Sequence, residues 1–158
     1  MHIIDFEPEH LSALRIREET HGLSPAGLAA YAEKLKNGGL TMKDSEEILC
    51  CAGVLPLWEG LGVAWAFVDA ERPRRRALAF HRAIVRYLET IRARGQYRRI
   101  QTTCLARDAA ARRWLRMIGF REECVLEKYA PDGEAHVLYA FFGESREDGR
   151  GVDRAIRQ

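Results

Sequence analysis

Apolar positions divide the chain into short segments whose period switches between two and 3.6. His2-Ile3-Ile4-Asp5-Phe6 alternates weakly and predicts a first strand. Leu11, Leu14 and Ile16 recur at near-helical spacing, which predicts a helix over 9–18. Ser24 as N-cap and Pro25 at the first helical position open a second helix. It carries Leu28, Tyr31, Ala32 and Leu35 on one face and stops at Asn37-Gly38-Gly39. Residues 40–43 read as a short strand and 47–57 as a stronger one, followed by a turn at 58–60. Residues 62–69 form the most apolar stretch, which predicts a central strand buried on both faces. From 73 to 94 the period becomes helical, with Ala77, Phe80, Ile84, Tyr87, Leu88 and Ile91 as the stripe. A strand at 99–105 follows, then a helix at 109–118 capped by Asp108 and ended by Gly119. Residues 120–129 and 134–142 read as a hairpin across Pro131-Asp132-Gly133.

The order is therefore β-α-α-β-β-β-α-β-α-β-β, an α/β chain with a mixed sheet in one domain over 1–142. Residues 143–158 are polar with balanced charges and read as a flexible or partner-bound tail. Strand 62–69, helix 73–94 and strand 99–105 form a crossover, which joins parallel strands with right-handed sense. Mixed sheets of this kind take ligands where the strand arrangement changes.

Composition narrows the classes. The chain has 158 residues, 47% apolar and 30% charged, which suits one globular core. Its longest apolar run, 61–68, is too short to span a bilayer, so no membrane partner is expected. The start, Met1 to Asp5, lacks a basic region followed by an apolar stretch, and a cytoplasmic setting is the default expectation. Cys50, Cys51, Cys104 and Cys124 form no Cys-x-x-Cys pair and have no histidine at ligand spacing, so free thiols are expected and no metal. Cys50 and Cys51 fall on opposite faces of their strand. Net charge is only +2, yet arginines crowd 72–99, with Arg74, Arg75 and Arg76 at the start of the long helix. Cations there oppose the helix dipole, which points to an anion partner. Nucleic acid is set aside, because no aromatic residues alternate with these arginines as a stacking platform requires.

Two stretches sharpen the picture. Asp108-Ala-Ala-Ala111-Arg-Arg-Trp114-Leu115-Arg-Met-Ile-Gly119-Phe120 resembles the Asn-x-x-Ala-x-x-x-Tyr-x-x-x-Gly-Phe signature of the GNAT (GCN5-related N-acetyltransferase) superfamily. Val68-Asp-Ala-Glu-Arg-Pro-Arg74-Arg-Arg-Ala77-Leu-Ala79 sits where that family carries Arg/Gln-x-x-Gly-x-Gly/Ala after its central strand. With the element order, the resemblance covers roughly 1–142. It implies the GNAT fold and acetyl-CoA as co-substrate, with a small-molecule or peptide amine as acceptor. It further implies that the main chain of Ala66, Phe67 and Val68 pairs with the pantetheine arm as an added strand would. Arg74, Arg75, Arg76, Ala77, Leu78 and Ala79 would then cradle the pyrophosphate at a helix N-terminus, and Asp108 takes the place of the motif asparagine. The acceptor would enter between the turn near 21–25 and the turn at 131–133. GNAT domains often dimerise, so a homodimer, or assembly through the tail, is the expected oligomeric behaviour.

The chain also departs from the family. Ala77 replaces a glycine, and Leu115 stands where many members carry a tyrosine that protonates the departing thiolate. Strand 62–69 offers no glutamate, so the group that takes the amine proton stays open among Glu59, Asp69, Glu122 and His136. Trp58, beside a turn, is a further candidate for the acceptor pocket. These departures also resemble short, degenerate GNAT-like proteins encoded by tailed bacteriophages, some among virion genes. That resemblance implies a binding or structural module that has lost catalysis, virion-associated rather than cytoplasmic. An open gap between strands 62–69 and 99–105, with free N–H groups from Arg75 to Ala79, favours the enzyme; one filled by Trp65 or another side chain favours the module.

Overall fold

The computed structural model describes residues 2–16, 22–36, 38–71 and 76–143. Seven strands form one sheet in the order β1-β2-β3-β4-β5-β7-β6. They are β1 (His2–Asp5), β2 (Gly39–Asp44), β3 (Glu47–Trp58), β4 (Gly60–Val68), β5 (Tyr97–Leu105), β6 (Arg121–Leu126) and β7 (His136–Phe142). The helices are α1 (Glu9–Ser12), α2 (Pro25–Leu35), α3 (Ala77–Ala93) and α4 (Ala109–Met117). The expected order thus holds. Only β4 and β5 run parallel, joined through α3; every other neighbouring pair is antiparallel.

Strand alternation sorts the core into two layers. On one face Cys50, Val54, Ile100, Val137, Tyr139 and Phe141 pack under α3 and α4, which contribute Phe80, Ile84, Leu88, Ile91, Leu115 and Ile118. On the other, Cys51, Trp65 and Phe67 pack under α1 and α2, with Phe6, Leu11, Ala32 and Leu35. The adjacent cysteines do lie in different layers. Burial pushes the Cys50 thiol up to about 12 and Cys51 to about 11, so both behave as apolar filling.

Local signals explain the helix starts. Ser24 Oγ accepts from Gly27 N–H at 3.1 Å with Pro25 behind it, and Asp108 Oδ1 accepts from Ala111 N–H at 2.9 Å. Gly119 stops α4 at φ 98°, and Phe120 then anchors 5.4 Å from Phe141.

Three expectations need correction. The helix expected over 9–18 ends at Ser12. Arg15 leaves it to bind the end of β4: its N–H donates to Asp69 Oδ2 at 3.1 Å, and its carbonyl accepts from Ala70 N–H at 3.0 Å. Tertiary hydrogen bonds there outcompete helix propensity. β4 is not buried on both faces, since Ala66 is exposed and Ala64 and Val68 only half-buried. The first strand of the hairpin ends at Leu126, where Lys128 turns the chain at φ 52°. Residues 144–158, Arg74, Arg75, His21 and Asn37 lie outside the described residues.

Candidate functional site

The seam between β4 and β5 is the place where the strand arrangement changes. Pairing runs from Gly60 with Tyr97 to Val63 with Gln101 and goes no further, although both strands continue. Ala64–Val68 thus keeps β3 on one side and loses β5 on the other. Backbone polar groups facing such an opening need a partner. A cleft of about 260 Å³ occupies it, lined by Ala66, Phe67 and Val68 from β4, residues 102–105 from β5, and Asp108, Ala111, Trp114 and Leu115 from α4. Ile16 closes one end, held there by the Arg15–Asp69 contacts.

Trp65 does not fill this opening. Its ring lies in the opposite layer, 5.1 Å from Phe6 and close against Gly39, where a Cβ would come 2.4 Å from the indole. Trp114 instead stacks on Phe80 at 5.6 Å and forms a wall. Leu115, 8% exposed, reaches the cleft from the motif's tyrosine position, so the wall there is apolar.

Along the chain, eight residues, 69–76, separate the end of β4 from the start of α3. Its N-cap, Arg76, offers no side-chain cap, and the first N–H groups of a helix have no intrahelical acceptor. Leu78 is exposed and Ala79 half-buried at this end. The Arg76 guanidinium itself turns to Asp44 of β2, 3.0 Å away, rather than standing free.

The four proton-acceptor candidates are not brought together. Glu59 is exposed at the β3–β4 turn, about 23 Å from Ala66 at about 3.3 Å per strand residue. Trp58 shares that distant turn, 67% exposed, and is absent from the cleft wall. Asp69 is 2% exposed and accepts from Arg15 Nη2 at 3.1 Å and Glu71 N–H at 3.0 Å. Glu122 accepts from Tyr139 Oη at 2.8 Å, Arg112 Nη2 at 2.9 Å and Arg116 Nη1 at 3.1 Å. The Tyr139 and Arg112 hydrogen bonds hold it below the usual carboxylate range. Both carboxylates fasten the frame: Asp69 ties the α1 exit to β4, and Glu122 ties α4 to the β6–β7 pair.

His136 differs. It is 8% exposed at the start of β7, and its Nδ1 lies 3.2 Å from Thr103 Oγ1, a cleft residue. Its Nε2 is enclosed and has no hydrogen-bond partner among the described residues. Burial pulls its pKa below the ordinary histidine value, against the opposing charges of Asp132 and Glu134. Cys104, also in the cleft, is pushed up to about 11 by burial and the nearby Asp108, so it stays a neutral thiol near pH 7 and is a poor nucleophile.

Two turns meet beside this pair. Gly22 lies so close to Asp132 that a Cβ would come within 2.9 Å of the carboxyl group. Tyr129 packs 5.2 Å from the His136 ring, and Tyr31 of α2 packs 6.3 Å from Phe67. Sequence reasoning missed Thr103, Tyr31 and Tyr129. The signal for Thr103 was a pair of threonines, Thr102 and Thr103, near the end of the strand; for the tyrosines there was none.

No protein-family model matches the chain, and no curated protein matches it. Solved structures do. The ribosomal-protein-S18-alanine N-acetyltransferase from Escherichia coli superposes with TM-score 0.69 at 18% identity, over 93% of this chain and 97% of that one. The ribosomal-protein-alanine N-acetyltransferase from Brucella melitensis gives 0.70 at 15%, over 90% and 99%. The GNAT-family acetyltransferase from Streptococcus pneumoniae gives 0.63 at 15%, over 90% and 99%. At such identities the likeness is one of architecture, and what it establishes is that this chain has the GNAT fold of those acetyltransferases.

Proposed function

We propose that the protein is an acetyl-CoA-dependent N-acetyltransferase that works by direct attack of an amine on the bound thioester. The observation that carries this reading is the parted β4–β5 seam. Strands held together at one end and separated at the other leave a main-chain edge for an extended ligand, and the small side chain of Ala66 leaves it accessible. The residues present fit the co-substrate. Ala66, Phe67 and Val68 would pair with the pantetheine arm. The N–H groups of Ala77, Leu78 and Ala79 would meet the pyrophosphate, with Arg76 able to leave Asp44 and with Arg74 and Arg75 adding charge. An exposed ion pair of this kind is worth at most about 1 kcal/mol, so releasing Arg76 costs little. Asp108 would set the α4 terminus that walls the cleft.

The acceptor would enter where Gly22 meets Asp132, past Tyr31 and Tyr129. The bacterial neighbours named above act on ribosomal-protein alanine, and a peptide with a free N-terminal alanine is the first acceptor to try. A small amine is the second.

Leu115 favours a rival reading, a catalytically degenerate GNAT-fold module of the bacteriophage kind, because no hydroxyl stands where the thiolate would leave. Calorimetry separates the two. The enzyme reading expects acetyl-CoA to bind with micromolar affinity, and Ala66→Phe or Arg75→Glu to abolish the heat. Absence of binding at millimolar acetyl-CoA would refute it and leave the module.

A further inference from the structure

Antiparallel pairing sets Thr103 of β5 opposite Leu138 of β7, so His136, two residues back along β7, is its diagonal neighbour on the same face. That relation explains the 3.2 Å contact between Thr103 Oγ1 and His136 Nδ1. One end of the pair lies in the cleft wall and the other is enclosed behind it. Of the other candidates, Asp69 and Glu122 are fastened to arginines and Glu59 stands at the far turn; Asp108 caps α4 through Ala111 N–H, and Cys104 stays a thiol. Resting on the acetyl-transfer reading, we propose that Thr103 and His136 together withdraw the proton from the acceptor amine: the Thr103 hydroxyl meets the amine in the cleft, and the imidazole receives a proton behind it.

The step balances as follows. The amine nitrogen bonds the thioester carbonyl carbon, and the C–S bond gives its electron pair to sulfur. One N–H proton passes to Thr103 Oγ1 as the original hydroxyl proton passes to His136 Nδ1. The thiolate then takes a proton from water, in keeping with the apolar Leu115 beside it, and the imidazolium returns its proton to solvent. Thr103 touches the substrate; His136 acts through it.

With Nδ1 turned to Thr103, the neutral ring carries its proton on the enclosed Nε2, which has no partner among the described residues. Burial keeps the imidazole neutral near pH 7 and ready to accept. Asp132 and Glu134 on the β6–β7 connection favour the cation once formed, with Glu134 partly neutralised by Arg107 at 3.4 Å. The Tyr129 ring covers one side, and the strand neighbours Leu105 and Leu126 bring no charge.

The test compares wild type, His136→Gln and Thr103→Val. Each is titrated with acetyl-CoA by calorimetry and assayed against an N-terminal alanine hexapeptide and spermidine across pH 5–9. Both variants are expected to bind acetyl-CoA as wild type does. His136→Gln should lose about 10²–10⁴-fold in kcat, Thr103→Val a similar factor, and both should lose the acid limb of the pH–rate profile. Wild type should also show a solvent isotope effect with more than one proton in flight. A variant that binds acetyl-CoA and retains kcat within about threefold, or keeps the acid limb, overturns the pair while acetyl transfer stands. Wild type that binds acetyl-CoA yet acetylates neither amine removes the acetyl-transfer reading, and the pair with it. Thr103→Val is nearly isosteric, so the question survives if His136→Gln fails to fold.

Discussion

The β4–β5 seam contains two regions built from the same pair of strands with opposite character. In the lower half Gly60–Val63 pairs with Tyr97–Gln101, and small residues let the strands close: a Cβ on Gly62 would come 2.5 Å from Val54 Cγ1 and 2.9 Å from the Tyr97 ring. In the upper half the strands part, Ala66 is exposed, and α4 stands off behind the opening. The lower half satisfies its own backbone and holds the fold. The upper half leaves the edge of Ala64–Val68 without a strand partner on that side. A parallel pair can thus be a structural joint at one end and an open cleft at the other.

The largest effect should come from disturbing the closed half. Gly62→Val overpacks a buried joint and is expected to destabilise by about 1–3 kcal/mol, read as a lower urea midpoint with unchanged slope. Ala66→Phe is its counterpart in the open half. Stability should stay within about 0.5 kcal/mol while acetyl-CoA binding disappears, and equal destabilisation by the two would dissolve the distinction.

Acid should then separate the polar groups. His136 has a folded pKa below its ordinary 6.5, so the unfolded chain binds its proton first and stability falls as pH drops below that value. Glu122 has a folded pKa below its ordinary 4.5, so the stability it gives at neutral pH persists to that range and is lost as pH falls through the lowered value. His136→Gln should flatten the first window of a Tm-against-pH curve and Glu122→Gln the second. A single shared window would show that the two groups are not independent. The smallest effect belongs to the exposed Arg76–Asp44 pair, where Arg76→Ala should cost about 0–1 kcal/mol in thermal unfolding and weaken acetyl-CoA binding.

Much of the frame was legible in the chain. Ser24-Pro25 and Asp108 announced helix starts, Gly119-Phe120 a stop and an anchor, and the stripe from Phe80 to Ile91 a helix laid on a sheet. Residues 66–68, to which the resemblance gave the pantetheine arm, line the cleft; that pairing belongs to the proposal. Helix α1 was overread because Leu11, Leu14 and Ile16 carry a helical period while Asp69, distant in sequence, draws Arg15 out of it. Glu122 looked available for the same reason: nothing in its neighbours shows that Tyr139, Arg112 and Arg116 converge on it.

Local chemistry and periodicity by themselves determined the order of elements and the caps of α2 and α4, because those depend on residues a few positions apart. Only the tertiary structure decided where β4 and β5 part, which carboxylates are fastened by arginine, and that Thr103 meets His136, thirty-three residues away. Strand register and long-range hydrogen bonds fix those relations, and neither leaves a period in the sequence.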